Sequence, residues 1–146
     1  MPEKASAQVS TLGNYRVKVS TRGHGVVIDE PENNGGENAG PTPREMFLGS
    51  LGSCVAITLL MYARRKEWPL ANVEITLEHE RVQEEQGAEP EERITMAIEL
   101  EGPLDEDQRQ RLAYVAIRCP VSRIVTGNAV INEKVTVRSV HSSQAE

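Results

Sequence analysis

Two residues of this chain are equipped for redox or nucleophilic chemistry, Cys54 and Cys119, and each falls on the inward stripe of an expected helix. A thiol attacks only as its thiolate, and a free cysteine titrates at about 8.5, higher when buried. Chemistry at neutral pH therefore requires a cation close to the sulfur. The competing assignment for Cys54 is a core cysteine that packs as a small hydrophobe. Metal chemistry finds little support. There is no C-x-x-C and no H-E-x-x-H, and His24, His79 and His141 are scattered along the chain. No metal or organic cofactor is implied.

The element that must position Cys54 runs from Thr42 to Trp68, TPREMFLGSLGSCVAITLLMYARRKEW. It is expected to be one long, mostly buried helix. Thr42 caps it, Pro43 suits the first helical position, and Glu45 completes a T-x-x-E capping box. Phe47, Leu51, Cys54, Val55, Thr58 and Tyr62 recur at three- and four-residue steps and share one face. Leu48, Ile57, Leu59, Leu60 and Met61 widen the apolar surface almost all round, as expected of an enclosed helix. Arg64, Arg65 and Lys66 complement the dipole in the last turns, and Pro69 stops the helix. Gly49 and Gly52 each cost roughly 1 kcal/mol relative to alanine. With Ser50 and Ser53 they form a small-residue surface, GSLGS, suited to close approach by another helix or by a ligand.

The second cysteine belongs to a second expected helix, starting at Asp105 with Gln108 as its capping partner. Its apolar face is Leu112, Val115, Ala116 and Cys119, so Cys119 sits at the helix end, before Pro120. Strands are expected where apolar and polar residues alternate. Tyr15, Val17 and Val19 mark one, Val26 to Ile28 the other half of a hairpin, and T-R-G-H-G (21–25) the turn between them. The loop PENNGGENAGPTP (31–43) has no hydrophobic anchor and reads as a mobile rim. Val73, Ile75, Leu77 and His79 line one long strand, and Ile94, Met96, Ile98 and Leu100 the next. The acidic connector 83–92 is a solvated hairpin tip. A last strand is expected over Ala129–Val137. The order is hairpin, long helix, two antiparallel strands, helix, strand, which is an α+β fold.

With 146 residues the chain is expected to form a single domain, 1–146. Residues 1–13 form a frayed end or a short edge strand around Ala7–Ser10, and the tail 140–146 is loose. Net charge is −6 and no Lys/Arg run exceeds residues 64–66, which argues against nucleic acid as a partner. MPEKASAQ lacks the apolar core of a signal peptide. The long helix is interrupted by Gly and Ser, so it is not taken as a membrane span. Two cysteines are too few for a disulfide scaffold, and a cytoplasmic setting with reduced or redox-active thiols is expected.

These patterns together resemble the osmotically inducible protein C / organic hydroperoxide resistance family (OsmC/Ohr). The matching residues are GPTPREMFLGSLGSC (40–54) and RCPVSR (118–123), and the resemblance spans essentially the whole chain. It is closest to the OsmC-like branch whose helix continues as M-Y-A-x-R-K-x-W-P, as residues 61–69 do. The resemblance implies an intertwined homodimer with two long central helices wrapped by sheet and two sites at the subunit interface. It implies thiol-dependent reduction of organic hydroperoxides. Cys54 would be the peroxidatic cysteine, Cys119 the resolving one, and an external dithiol of lipoyl type the reductant. Arg22 matches the activating arginine of the first hairpin, with Arg16 and Arg123 as fallbacks. His24, in GHGVVID (23–29), would replace or assist it; otherwise it is an exposed turn residue. The chain departs from the peroxidase pattern at position 44. The family carboxylate lies ten residues before the cysteine, where this chain has Arg44, and Glu45 lies nine before. Nine residues turn a helix by about 180° from Cys54, so Glu45 is either a catalytic residue serving a site across the dimer or only a helix cap. Two alternatives to a peroxidase stand beside it. One is a non-catalytic dimer of the same fold that binds small apolar ligands or acts in stress, its cysteines only packing. The other is a transfer or hydrolytic enzyme using Cys54 with His24.

Overall fold

The computed structural model describes residues 4–138, so the expected tail at 140–146 lies outside the described residues. Three strands open the chain, β1 (Gln8–Gly13), β2 (Arg16–Thr21) and β3 (His24–Ile28), in one antiparallel sheet. Helix α1 (Pro43–Arg65) follows, then β4 (Asn72–Val82) and β5 (Glu91–Glu101) as a separate two-stranded sheet. Helices α2 (Glu106–Ala116) and α3 (Pro120–Thr126) complete the described elements. The architecture is α+β.

Helix α1 starts as its sequence dictates. Glu45 N donates to Thr42 Oγ1 at 3.2 Å, and Thr42 N donates to Glu45 Oε2 at 2.9 Å. Its buried stripe is Leu51, Val55, Leu59 and Ala63, joined by Gly52. The expected stripe is thus rotated slightly: Cys54, Thr58 and Tyr62 flank it, and Phe47 is exposed. Enclosure all round is not met either, since Ile57 and Met61 are 55% and 67% exposed. By length and composition α1 could cross a bilayer. Its inner stripe is instead covered by β4 and β5, whose Val73, Ile75, Leu77, Ile94, Met96, Ile98 and Leu100 pack against it, and by Leu112 and Ala116 of α2. Gly52 serves this packing, because a methyl there would lie 2.6 Å from Leu77 Cδ1. The small-residue surface therefore admits a strand on its Gly52 side. Gly49 faces open space.

The second sheet carries one apolar face because its register aligns the two alternations. Val73 pairs with Leu100, Ile75 with Ile98, Leu77 with Met96 and His79 with Ile94. Beyond His79 the same face continues as Arg81 opposite Glu92, and so turns from apolar to charged. Helix α2 is bound to α1 by packing and by Arg111 Nε, which donates to Tyr62 Oη at 2.9 Å. Asp105 and Gln108 form the expected capping box.

Three expectations need correction. The second helix does not reach Cys119: α2 ends at Ala116, and Cys119 is extended (φ −68, ψ 152), the N-cap of the unexpected α3. Pro120 explains this, because its ring disfavours the α conformation at the residue before it and suits the first position of a new helix. No strand forms over Ala129–Val137, where Val135 and Val137 are 86% and 87% exposed and find no strand edge among the described residues. Finally, the loop 31–43 is held by a polar anchor. Asp29, only 1% exposed, accepts hydrogen bonds from Glu30 N (2.8 Å), Glu37 N (3.1 Å) and Ala39 N (3.1 Å). Asp29 N in turn donates to Pro41 O at 3.1 Å. A loop without apolar residues is thereby folded onto a single carboxylate.

Burial alone would raise the Asp29 pKa, but the three N–H donors and nearby Arg16 outweigh it and hold the carboxyl below its ordinary value. A depressed folded pKa contributes stability above the unfolded value, about 3.9, which is lost as pH falls through the folded one. Protection of the Glu37 and Ala39 amides, taken relative to the intrinsic exchange rate at each pH, is expected to be high at neutral pH and to fall once pH drops below the ordinary Asp value of about 3.9. In Asp29→Asn it should be low throughout. Protection that survives in the asparagine variant would show that the carboxylate does not hold the loop.

Candidate active site

The sulfur atoms of Cys54 and Cys119 meet in the seam between α1 and the start of α3. Cys54 lies beside the buried stripe of α1 and is partly exposed, whereas Cys119 is fully buried. Each thiol is hydrogen-bonded to the other and to the N–H of Val121. Cys119 Sγ also accepts from Ser122 N at 3.3 Å, which is the N-cap bond of α3. Thr58 closes the other side: its hydroxyl donates to Cys54 O at 2.7 Å and bonds the Cys54 thiol.

The pair is electrostatically asymmetric, and opposite to the simplest expectation. Burial pushes the Cys54 thiol up and the neighbouring Cys119 sulfur adds to this, while the Val121 N–H and the Thr58 hydroxyl relieve it only in part. Burial works against the Cys119 thiolate too. There the Ser122 hydroxyl and N–H, the Cys54 thiol and the Val121 N–H prevail, and the pKa is lowered. The two thiols are coupled, and of the pair it is the Cys119 thiolate that the surrounding donors favour. The expected acidic Cys54 is not found in the single chain, because none of the leading influences on it is a cation.

The other candidates lie apart from this pair. Arg22 (φ 48) and Gly23 (φ 83) form the two-residue turn between β2 and β3, a primed-type hairpin turn. His24 opens β3 opposite Thr21. Both Arg22 and His24 are exposed, and the first sheet does not pack on the helical core. Arg16 pairs with Glu37 at 3.4 Å. Glu45 is engaged as a helix cap by Thr42 N. Arg123 is exposed in the last turn of α3. Thr58, Val121 and Ser122 join the site without having been expected there. A signal for Ser122 was present in C-P-x-S, which reads as a cap, a first-position proline and a third residue whose N–H the cap accepts. Among the described residues no cluster of His, Cys, Asp and Glu could hold a metal ion.

Known proteins share this architecture. The family described as OsmC-like protein matches residues 35–134. The curated proteins contain no match. Among solved structures, the OsmC-like protein of Mycoplasma pneumoniae superposes with a TM-score of 0.72 at 18% identity, over 87% of this chain and 90% of that one. An organic hydroperoxide resistance protein, OsmC, of Legionella pneumophila gives 0.62 at 20% identity, over 86% and 91%. The organic hydroperoxide resistance protein OhrB of Bacillus subtilis gives 0.58 at 21% identity, over 84% and 92%. At these identities the likeness is one of fold.

The thiol asymmetry can be measured directly. Thiolate absorbance of Cys54→Ser, followed against pH, should give a midpoint for Cys119 below the usual cysteine value of about 8.5. Ser122→Ala, in the same background, should move that midpoint up by removing the hydroxyl bond. An unmoved midpoint would show that Ser122 does not stabilise the Cys119 thiolate.

Proposed function

Because the chain belongs to the OsmC-like protein family, we propose that it is a thiol-dependent peroxidase that reduces organic hydroperoxides through Cys54 and Cys119. The observation that carries this reading is the mutual hydrogen bond of two thiols, one reachable and one buried, on elements far apart in sequence. Two relatives of the same fold are named as organic hydroperoxide resistance proteins, which supports it further.

The reaction runs in three steps. The Cys54 thiolate attacks the outer peroxide oxygen, the O–O bond breaks, and the departing alkoxide takes a proton and leaves as the alcohol. Cys54 is then a sulfenic acid. The Cys119 thiolate attacks the Cys54 sulfur, an S–S bond forms, and hydroxide leaves with a proton as water. An external dithiol, of lipoyl type, reduces the disulfide by exchange and is itself oxidised. The Ser122 bonds to Cys119 favour the second attack, since they hold the attacking sulfur as thiolate.

The first attack needs a cation that the single chain does not bring to Cys54, and this leads to a homodimer. Exposed Ile57, Leu60 and Met61 form an apolar strip on α1, beside Ser50, Ser53 and the open Gly49. The first sheet exposes Val9, Leu12, Val26 and Val27, and the C-terminal segment exposes Val130, Ile131, Val135 and Val137. So much apolar surface in a short chain calls for a partner, and a second copy is the simplest one. In such a dimer Arg22 of the partner subunit, with His24 beside it, is the group we assign to ionise Cys54. Glu45 acts as a helix cap. The raised Cys54 pKa favours the alternative, a non-catalytic dimer, if no cation arrives.

Stopped-flow reaction with an alkyl hydroperoxide separates the two. Wild type should lose both thiols, Cys119→Ser should stop at a sulfenic acid, and Cys54→Ser should lose neither. Arg22→Ala should slow the first step by about 10²-fold or more, the scale of one preorganised charge contact. Two thiols that survive excess hydroperoxide would mean that they only pack. Sedimentation tests the dimer. Wild type should sediment as a dimer and Ile57→Glu as a monomer, although the change at so exposed a helix site would cost a lone chain no more than about 0.5 kcal/mol. A monomeric wild type would remove the partner from the mechanism.

A further inference from the structure

Four cations with no acid beside them gather where the C-terminal ends of α1 and α2 meet. The Arg65 guanidinium stands 5.4 Å and the Lys66 ammonium 5.9 Å from the centre of the Tyr62 ring. Arg111 lies over two rings, 5.8 Å from Tyr62 and 5.1 Å from Tyr114, and it is the group already seen to donate to Tyr62 Oη. Arg118 lies 4.0 Å over Tyr114. Cations and rings thus alternate as a ladder across two helices. Helical spacing builds it. Tyr62, Arg65 and Lys66 are i, i+3 and i+4 on α1 and its cap, and Arg111, Tyr114 and Arg118 are i, i+3 and i+7 on α2 and the turn after it.

The ladder runs against the charge balance of the chain, which has 22 acidic side chains and 16 Lys and Arg. Arg16, Arg81, Arg93 and Arg109 each have a carboxylate within ion-pair distance, whereas none of the four ladder cations has one among the described residues. Tyr62 and Tyr114, not a carboxylate, are the groups that act on Arg111. The Arg111 hydrogen bond, with the charges of Lys66 and Arg65 after it, holds the Tyr62 hydroxyl below its ordinary pKa. All four cations are exposed. Tyr62 points about 100° or more around α1 from Ile57, Leu60 and Met61, so the ladder stands off the apolar strip. It does border the thiols. Arg118 directly precedes Cys119, and Tyr62 follows Cys54 by eight residues, about 12 Å along the axis.

We propose that this ladder is the docking surface for an acidic face of the protein that carries the reducing dithiol. A guanidinium laid flat on a ring keeps in-plane N–H donors free, and that fork accepts carboxylates two bonds at a time. Tyrosine and arginine are also the side chains that carry most binding energy at protein interfaces. The rest of a chain of net charge −6 repels a long polyanion, so a nucleic acid or an anionic membrane fits less well than a partner whose negative charge is as local as the patch. A dithiol on an arm, as in lipoamide, crosses the distance to the sulfurs while its carrier stays docked. One of its thiolates attacks the Cys54–Cys119 disulfide to form a mixed disulfide. Its second thiol displaces that bond, both cysteines return as thiols, and the partner leaves as a disulfide. The identity of the partner as reductant rests on the peroxidase reading; the ladder as a surface for an acidic protein segment does not.

Two experiments keep these apart. Reduction of the oxidised protein by the lipoyl group of an acidic carrier domain should slow about tenfold or more between about 0.05 and 0.5 M salt. Arg111→Glu and Arg65→Glu, on different helices, should each slow it to a similar extent, and Arg111→Lys, which keeps the charge, should slow it less. Free dihydrolipoamide should reduce each variant as fast as wild type. In the second experiment, a labelled oligoglutamate peptide should bind Cys54→Ser at low salt, and adding Arg111→Glu should weaken it about tenfold or more. Equal slowing with free dihydrolipoamide, no slowing with the carrier domain, no peptide binding, or tighter binding of single-stranded DNA or anionic vesicles than of the peptide would each overturn the proposal. If the thiols survive excess hydroperoxide while peptide binding keeps its Arg111 dependence, the peroxidase reading falls and the docking surface stands.

Discussion

The rotation of α1 about its own axis governs where everything else can go. Leu51, Val55, Leu59 and Ala63 repeat at four-residue steps, and burying them against β4, β5 and α2 leaves one orientation open to the helix. Such a stripe does most to hold a helix on a sheet, because apolar area removed from water is worth about 25 cal/mol per Å². Once it is seated, Cys54 must lie on the flank that looks toward α3, and Gly52 must lie under Leu77. Ile57 and Met61, three and seven residues after Cys54 and so beside it around the helix, look outward together with Leu60. One face thus packs the chain, and the sulfur stands between that face and an exposed apolar strip.

The cysteine pair shows how little chemistry is needed to separate two equivalent groups. Both thiols suffer burial, and both accept from the same Val121 N–H. What divides them is Ser122, which reaches Cys119 because Cys119 caps the short helix in which Ser122 stands third. A proline one residue on enforces that cap. The buried sulfur is thereby the one whose thiolate is favoured, while burial holds the reachable one above its ordinary value.

Two polar devices serve the site from a distance. Asp29 gathers the Gly- and Asn-rich loop onto one carboxylate and so fixes where Thr42 begins α1. On the second sheet, the apolar face ends at His79 and Glu92, where the alternation continues but the residue types change. Arg44 stands opposite that change of character. The seam between α1 and α3 is therefore graded, from sulfur through apolar wall to charge.

Local rules were enough for much of this. The two capping boxes, the start of α1, the alternating strands and the β2–β3 turn follow from short-range preferences, so Thr42, Glu45, Asp105, Gln108 and Gly23 could be read directly, whereas α1 ends at Arg65, before the expected Trp68. Family motifs placed the chain in its fold and marked both cysteines. Periodicity could not say which of several overlapping apolar stripes on α1 would be buried, since that depends on what packs there. It could not foresee that Pro120 would end one helix and start another, or that Asp29 would find three N–H groups spread over ten residues of loop. The expected last strand had the right alternation and no edge to join, because a strand exists only through its neighbour. The sign of each thiol's pKa, and the absence of a cation at Cys54, depend on distances between elements far apart in the chain. Those distances are set by packing alone, so only the tertiary structure decided them.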